Sequence, residues 1–571
     1  DISGHTYSAK DMKILFEGYN YSHNTVEDLL PIEYFDRNSI LPKLRVVGYH
    51  YSDKYNCPII ILPKVFLNEK DKFFLEDIDP EVFLEDHYLN LIPDHNMKKQ
   101  VANFLFECST WFYFSIKKYF QKYRETLSLF ENTVNIVDCS HKDNFNTELD
   151  LIISLLKFNK ENQDLFVFIN KINHSQNNKT DWGRTIRKSS PLIGINGIPI
   201  YLDTLTKKKQ INADEELLVI FFSLLNDLES TYNIKIQINP YYNLLSKREF
   251  NKFKQRGTFY LRSIRYKYFD DRLLTLYRLL YSYFEKSEES RVKQKRNEYL
   301  IIKDYNIVFQ DMIDELLTDT DIDANLKTHK DNKELDHIYK SKSFFEEDGI
   351  YFIGDSKYYK RGNPVEEKSI YKQFTYAKNV IQYNIDLFNE NGHYPKGIRY
   401  RDELTEGYNI TPNFFIRGIV EHLNYFQPEL TLDKNQDFDK QINIHYADRI
   451  FDRDTLIVQS YSINFLFVLW NYISSKSSEN NLFKEVAKGI FHRSLASFIE
   501  DNYDFWLVTP TELVKDFIIR NFYKLNGKIY RPANFNDNNS FILALKEKER
   551  ADEYLKKNVI GTFSLDYYRL R

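Results

Sequence analysis

The sequence predicts a mixed α/β protein: a β-rich start, a mainly helical middle, an α/β core and a largely helical end. Short runs of β-branched and aromatic residues bounded by polar turns fill the first hundred residues and recur near residue 350. Long proline-free stretches with apolar residues at helical spacing fill the middle. Between about residues 305 and 420 the patterns run helix, two or three strands, helix, strand, which is an α/β order. The 571 residues therefore divide into 1–100, 101–300, 301–425 and 426–571.

Hydrophobic residues make up 42% of the chain and aromatics 16%, the composition of a packed globular protein. The net charge of −4 neither supports nor excludes a nucleic-acid partner, because a basic groove can sit inside an acidic average. Cys57, Cys108 and Cys139 are far apart and form no Cys-x-x-Cys pair. Neither a disulfide frame nor a zinc site is expected, which fits a reducing cytosol. No apolar stretch approaches the roughly 18 residues of a membrane span, and the opening residues lack the head of a secretory leader. The expectation is a soluble, cytoplasmic protein with no membrane partner.

In the first segment, residues 44–49 and 58–62 flank a polar turn and read as a hairpin. Residues 98–120 form a long helix. Lys117, Lys118, Lys122 and Arg124 either complement its C-terminal end or face DNA. Residues 148–156 and 217–228 are helices opened by acids. Trp182 to Lys188 reads as a loop, in which Trp182 anchors to the core or Arg184, Arg187 and Lys188 contact phosphates. Residues 262–300 interleave cations such as Arg262, Arg265, Lys267 and Arg272 with Tyr266, Tyr268, Tyr277, Tyr281 and Tyr283. Two long helices with tyrosines inward and cations outward explain this, and so does a DNA channel. Residues 318–334 are an acidic, polar loop. Past 430, residues 463–473 and 510–522 are apolar helices, and 526–528 is a turn.

The chemistry concentrates at 350–360. An apolar run, Ile350-Tyr351-Phe352-Ile353-Gly354, reads as a buried strand and ends in Asp355-Ser356-Lys357. Residues two apart share a strand face, so Asp355 and Lys357 point the same way. A structural ion pair is one explanation. The other begins with Leu335-Asp336-His337-Ile338-Tyr339, a second strand candidate joined through a turn at 346–349. An antiparallel pair brings Asp336 and Asp355 to one sheet end. Two carboxylates there suit a hard divalent cation, Mg²⁺ or Mn²⁺. Such a cation polarises a phosphodiester and helps ionise water, while Lys357 orients that water and offsets developing charge. Lys360 and Arg361, just beyond, are candidate DNA contacts.

These residues resemble the PD-(D/E)XK nuclease signature. Asp355-Ser356-Lys357-Tyr358 is similar to the Asp-Ala-Lys-Tyr of McrC-like and LlaJI-type restriction endonuclease subunits. Lys372-Gln373-Phe374-Thr375-Tyr376 is similar to the Gln/Tyr element after the lysine strand in these nucleases. Asp448 to Leu456, Tyr461 to Leu469, and Trp182 to Ile186 resemble further LlaJI-type segments. The likeness covers about residues 40–480 in patches. It implies a Mg²⁺-dependent endonuclease acting on double-stranded DNA in a restriction or phage-defence system. Asp336 and Asp355 would hold the metal, Lys357 would position the water, and Gln373 and Tyr376 would support the site. The family's first core helix usually carries a glutamate after an aromatic residue. Here the matching pair is Phe309-Gln310, which makes Gln310 an uncharged candidate ligand.

There is no Gly-x-x-x-x-Gly-Lys-Ser/Thr loop for a nucleoside triphosphate. The resemblance therefore implies a separate McrB-like GTPase subunit, docked by the β-rich residues 1–100; deleting residues 1–90 is expected to remove its stimulation without unfolding the core. Self-association is left open. Two alternatives stand beside this reading: a non-catalytic DNA-binding or scaffold subunit with a degenerate site, and a nuclease acting on RNA or single strands.

Overall fold

The computed structural model describes residues 12–127, 147–293, 298–546 and 564–567, less the segment 434–447 and shorter internal gaps. The fold is mixed α/β with several sheets and a helical middle. The chain opens with β1 (Lys13–Phe16), β2 (Val46–Ser52) and β3 (Cys57–Leu62). β3 pairs antiparallel with β2, Gly48 opposite Ile61, and parallel with β1. Every residue of β3 is buried, which places this continuous apolar run at the centre of the sheet. α1 (His95–Leu127) follows, with a break in helical geometry at Tyr123. Three of the cations near its end tie elements together: Lys117 pairs with Asp150 at 2.9 Å, Lys118 with Glu315 at 2.7 Å and Lys122 with Asp311 at 2.7 Å.

The middle comprises α2 (Glu148–Glu161), α3 (Trp182–Lys188), α4 (Glu216–Tyr232), α5 (Gly257–Ile264) and α6 (Asp271–Lys293), with smaller pieces between. It has its own core, which includes Leu155, Phe221, Leu225, Leu276 and Phe284. Residues 182–188 are a helix and not a loop, because the Asp181 side chain caps it, accepting from the Arg184 amide at 3.2 Å. Trp182 is no core anchor: it is 56% exposed, with its ring 6.3 Å from that of Tyr201. Tyr268, Tyr277 and Tyr283 turn inward while Arg262, Arg265, Lys267 and Arg272 face solvent, but Tyr266 faces outward with them. Lys295 and Arg296 lie outside the described residues.

β4 (Tyr299–Lys303) then returns to the first sheet and pairs antiparallel with β2, giving the order β1-β3-β2-β4. A Cβ at Gly48 would lie 2.1 Å from the Leu300 carbonyl oxygen, and Gly48 has φ +141°, so this closure needs glycine. The central body follows: α7 (Asn306–Leu317), β5 (His337–Lys342), β6 (Gly349–Lys357), α8 (Glu367–Asn391), β7 (Asn413–Ile419), β8 (Thr431–Leu432) and β9 (Val458–Asn464). Its sheet order is β5-β6-β7-β9-β8. β6, β7 and β9 are parallel, and the edges β5 and β8 are antiparallel to their neighbours. The turn expected at 346–349 falls largely on 346–348, outside the described residues.

α9 (Phe465–Ser474), α10 (Ser477–Asn502), β10 (Asp504–Thr509), α11 (Val514–Leu525), β11 (Ile529–Tyr530), β12 (Phe541–Leu545) and β13 (Ser564–Tyr567) complete the chain. The last segment is thus not largely helical. β9 belongs to the central sheet, and β10 to β13 form a four-stranded antiparallel sheet in the order β11-β12-β10-β13. Runs as short as Phe541–Leu545 have no periodicity that separates strand from helix. No helix among the described residues is long and apolar enough to cross a membrane.

One hydrophobic core runs from Phe16, Tyr49 and Leu62 through Phe112 and Phe309 to Phe352, Phe414, Phe465 and Phe505. The first hundred residues are therefore continuous with the central body, and β4 completes their sheet from two hundred residues away. Deleting residues 1–90 is expected to strip Leu300 and Ile302 of their partners on β2 and to abolish cooperative folding. A soluble truncated chain with one sharp thermal transition by circular dichroism would refute this.

Candidate active site

The site grows from the register of two strands. His337 pairs with Gly354 across β5 and β6, so the next step of the ladder sets Asp336 against Asp355. Directly opposite residues share a face and lie close. The two carboxyls act on each other's charge. Burial pushes Asp336 well above the ordinary carboxylate range, and the hydrogen bond and charge of Asp355 add to this. Burial would raise Asp355 as well, but the hydrogen bond from Asp336 and the charges of Lys357 and Lys372 hold it below that range. Two carboxyls at close range resist ionising together.

Lys357 lies on the same face, with Nζ 2.5 Å from Asp355 Oδ2 as an ion pair outside hydrogen-bond geometry. Its hydrogen bond goes to Ser369 Oγ at 3.0 Å, in the first turn of α8. Gln310 on α7 donates from Nε2 to Asp336 Oδ1 at 2.8 Å. Burial works against the Lys372 ammonium, yet Asp336, the Tyr376 hydroxyl and Asp355 outweigh it and raise its pKa. Ser369, Lys372 or Gln373, and Tyr376 recur at three- and four-residue intervals, so they share one face of α8. Gln373 is fully buried and neither atom of its side-chain amide has a partner. An orphaned buried amide is costly, and it marks a place where a ligand, a water or a cation completes the bonding.

Gly354 sets how closely the strands lie. A Cβ there would fall 2.2 Å from the Phe414 ring on β7. Beyond β6, the structure draws the chain toward the first sheet. The Tyr358 hydroxyl donates to Glu17 Oε2, which also accepts the Lys64 amide at 3.3 Å. Lys360 is paired with Asp71, and Arg361 Nη2 with Glu421 Oε1 at 2.8 Å. Both expected DNA contacts are thus neutralised by acids of this chain. Arg184 and Arg187 belong to α3 in the middle body, whose core is separate. Arg184 Nε lies 3.9 Å from Asp181, and Arg187 is exposed.

The structure thus brings Gln310, Asp336, Asp355, Lys357 and the Gln373 helix together. Sequence reading missed Ser369 and gave Lys372 no role of its own. Their signal is spacing on the helix that carries Gln373 and Tyr376. Among the described residues no cluster of three or more His, Cys, Asp or Glu could hold a metal ion. The two facing carboxylates suit a hard divalent cation nonetheless. No protein-family model matches the chain, and no curated protein matches its sequence.

The raised pKa of Asp336 has a measurable sign. Asp336 keeps a proton that the unfolded chain loses in the ordinary carboxylate range, so its contribution to stability falls as pH rises above that range until the pair ionises. Asp355 acts in the opposite sense: its contribution is present above its ordinary range and lost as pH falls through it. At neutral pH in EDTA, Asp336→Asn is expected to raise Tm by about 1–2 °C. The same substitution should remove the rise that Mg²⁺ causes in the unsubstituted chain. Differential scanning fluorimetry checks both, and an unchanged Mg²⁺ response in the variant would place the cation elsewhere.

Proposed function

We propose that this chain is a divalent-cation-dependent endonuclease of the PD-(D/E)XK type that hydrolyses phosphodiester bonds in DNA. The observation that carries the reading is the juxtaposition of Asp336 and Asp355 beside Lys357, at the end of a buried strand. Structural ion pairs rarely place two carboxyls in contact, because the second costs desolvation and repulsion. Mg²⁺ or Mn²⁺ bound there would polarise the phosphodiester and lower the pKa of a bound water. Asp336 and Asp355 would hold the cation. Lys357 hydrogen-bonds the attacking water and offsets the negative charge that grows on the phosphoryl oxygens. Gln373 and Tyr376 line the neighbouring helix face, and Lys372 brings a second positive charge. The α7, β5, β6, α8, β7 order supports the same core.

A nucleotide-hydrolysing partner is part of the proposal on the strength of the resemblance and the missing phosphate-binding loop. A second reading, a DNA-binding subunit with a reduced site, draws on Gln310. Its amide nitrogen faces Asp336, where a carboxylate would add charge toward a cation.

Asp355→Ala and Lys357→Ala are expected to lower plasmid cleavage in Mg²⁺ by about 10²–10⁴-fold while the circular dichroism spectrum stays unchanged. Wild-type cutting by both variants would move the chemistry elsewhere. Gln310→Glu is expected to retain or raise cleavage. Loss of Mg²⁺ binding in that variant, measured calorimetrically, would show that Gln310 serves the fold and not the cation.

A further inference from the structure

The middle body carries a feature that the cleavage site does not use. Gly257, Thr258, Leu261 and Ile264 form the buried face of α5, and Tyr268 is buried beyond the 3-10 turn that follows it. The opposite side carries large aromatic rings in water: Phe259 is 74% exposed, Tyr266 72% and Phe269 86%. A soluble surface ordinarily carries such rings singly. Phe259 and Arg262 stand on the helix, Tyr266 in the single 3-10 turn that follows it and Phe269 just beyond, so three exposed rings fall within eleven residues.

Cations accompany the rings. Arg262 donates from Nε to the Tyr281 hydroxyl at 2.9 Å, with its guanidinium 5.5 Å from that ring's centroid. It is thereby oriented by a neutral partner and keeps its charge. Arg256 and Arg265 touch no carboxylate among the described residues. Between residues 247 and 278 there are ten Lys and Arg against three Asp and Glu, in a chain whose net charge is −4.

Exposed rings in series, flanked by unneutralised arginines, suit a polyanion with flat hydrophobic faces. Bases stack on aromatic side chains without regard to sequence while cations track the backbone. A duplex keeps its bases stacked inside and offers such rings little. A protein partner accounts for the rings but gives no reason for the excess of arginine.

We propose that the surface built on Phe259, Tyr266 and Phe269, with Arg256, Arg262 and Arg265, binds single-stranded nucleic acid. It deepens the endonuclease reading by adding a place to hold an unpaired strand outside the cleavage site, and it takes its ligand class from that reading. Its test does not depend on cleavage.

The full chain in EDTA is titrated into a fluorescein-labelled oligothymidylate of about twenty nucleotides and into a duplex of the same length, with anisotropy as the readout. The single strand is expected to bind more tightly than the duplex, with affinity falling steeply as salt rises. Phe269→Ala should weaken binding about tenfold, and Phe259→Ala with Tyr266→Ala further, whereas Phe269→Trp should retain it. The proposal is overturned if the single strand does not bind, if the ring substitutions leave its affinity unchanged, or if the duplex binds as tightly and with the same dependence on the rings. Failure of cleavage alone, with ring-dependent binding intact, would sink the nuclease reading and leave this surface standing.

Discussion

The pairing of β5 with β6 is the constraint on which the candidate site depends. Strand side chains alternate with period two, so a slip of one residue would turn Asp336 away from Asp355 and into a different face. The register is held by what is buried on it. Ile338 and Tyr339 on β5, and Ile350, Phe352 and Ile353 on β6, belong to the core, and Gly354 lets β6 lie against Phe414. Packing of apolar side chains thus forces two carboxyls together. Gln310, Lys357 and Lys372 answer the electrostatic cost that packing imposes.

Much of this was legible in the residues. Asp355 and Lys357 follow from strand alternation at the end of an apolar run. Asp336 follows from an acid at the start of the preceding strand. What sequence could not display was contact over long separation. Nothing local in Tyr358 points to Glu17, and nothing in Lys360 points to Asp71, because those partners arrive from the first sheet. Lys360 and Arg361 therefore read as free cations and are paired ones. Short strands were the other loss. Phe541–Leu545 carries no alternation because all of its residues are buried, and such runs show neither helical nor strand period. Trp182 misled for a different reason: aromatic residues are usually anchors, and this one is exposed.

The contacts beyond β6 also change how the first hundred residues are understood. Burial raises the Glu17 carboxyl, with Lys64 opposing, and this carboxyl receives the hydroxyl of the residue next to Lys357. The first sheet, completed by β4, is thereby clamped to the strand that carries the candidate chemistry. A surface that docks a partner on that sheet would have a covalent and hydrogen-bonded route of one residue to Lys357. On the proposed function, a partner docked there would need no long-range path, only a shift in the end of β6.

Near-neutral overall charge conceals a division of labour between the bodies. Residues 147–293 hold twenty-four Lys and Arg against seventeen Asp and Glu, while the whole chain has 78 against 82. The remainder, which contains the carboxylate site, is consequently acidic. Charges on exposed surface act over about 8 Å at physiological salt, so an acidic body gathers few phosphates unaided. On the proposed function, a strand is held by the middle body through arginine and stacked rings. The central body meets it only where a cation at Asp336 and Asp355 reverses the local sign. Affinity and chemistry then reside in different cores, and a substitution in one is felt in the other only through the position of the strand.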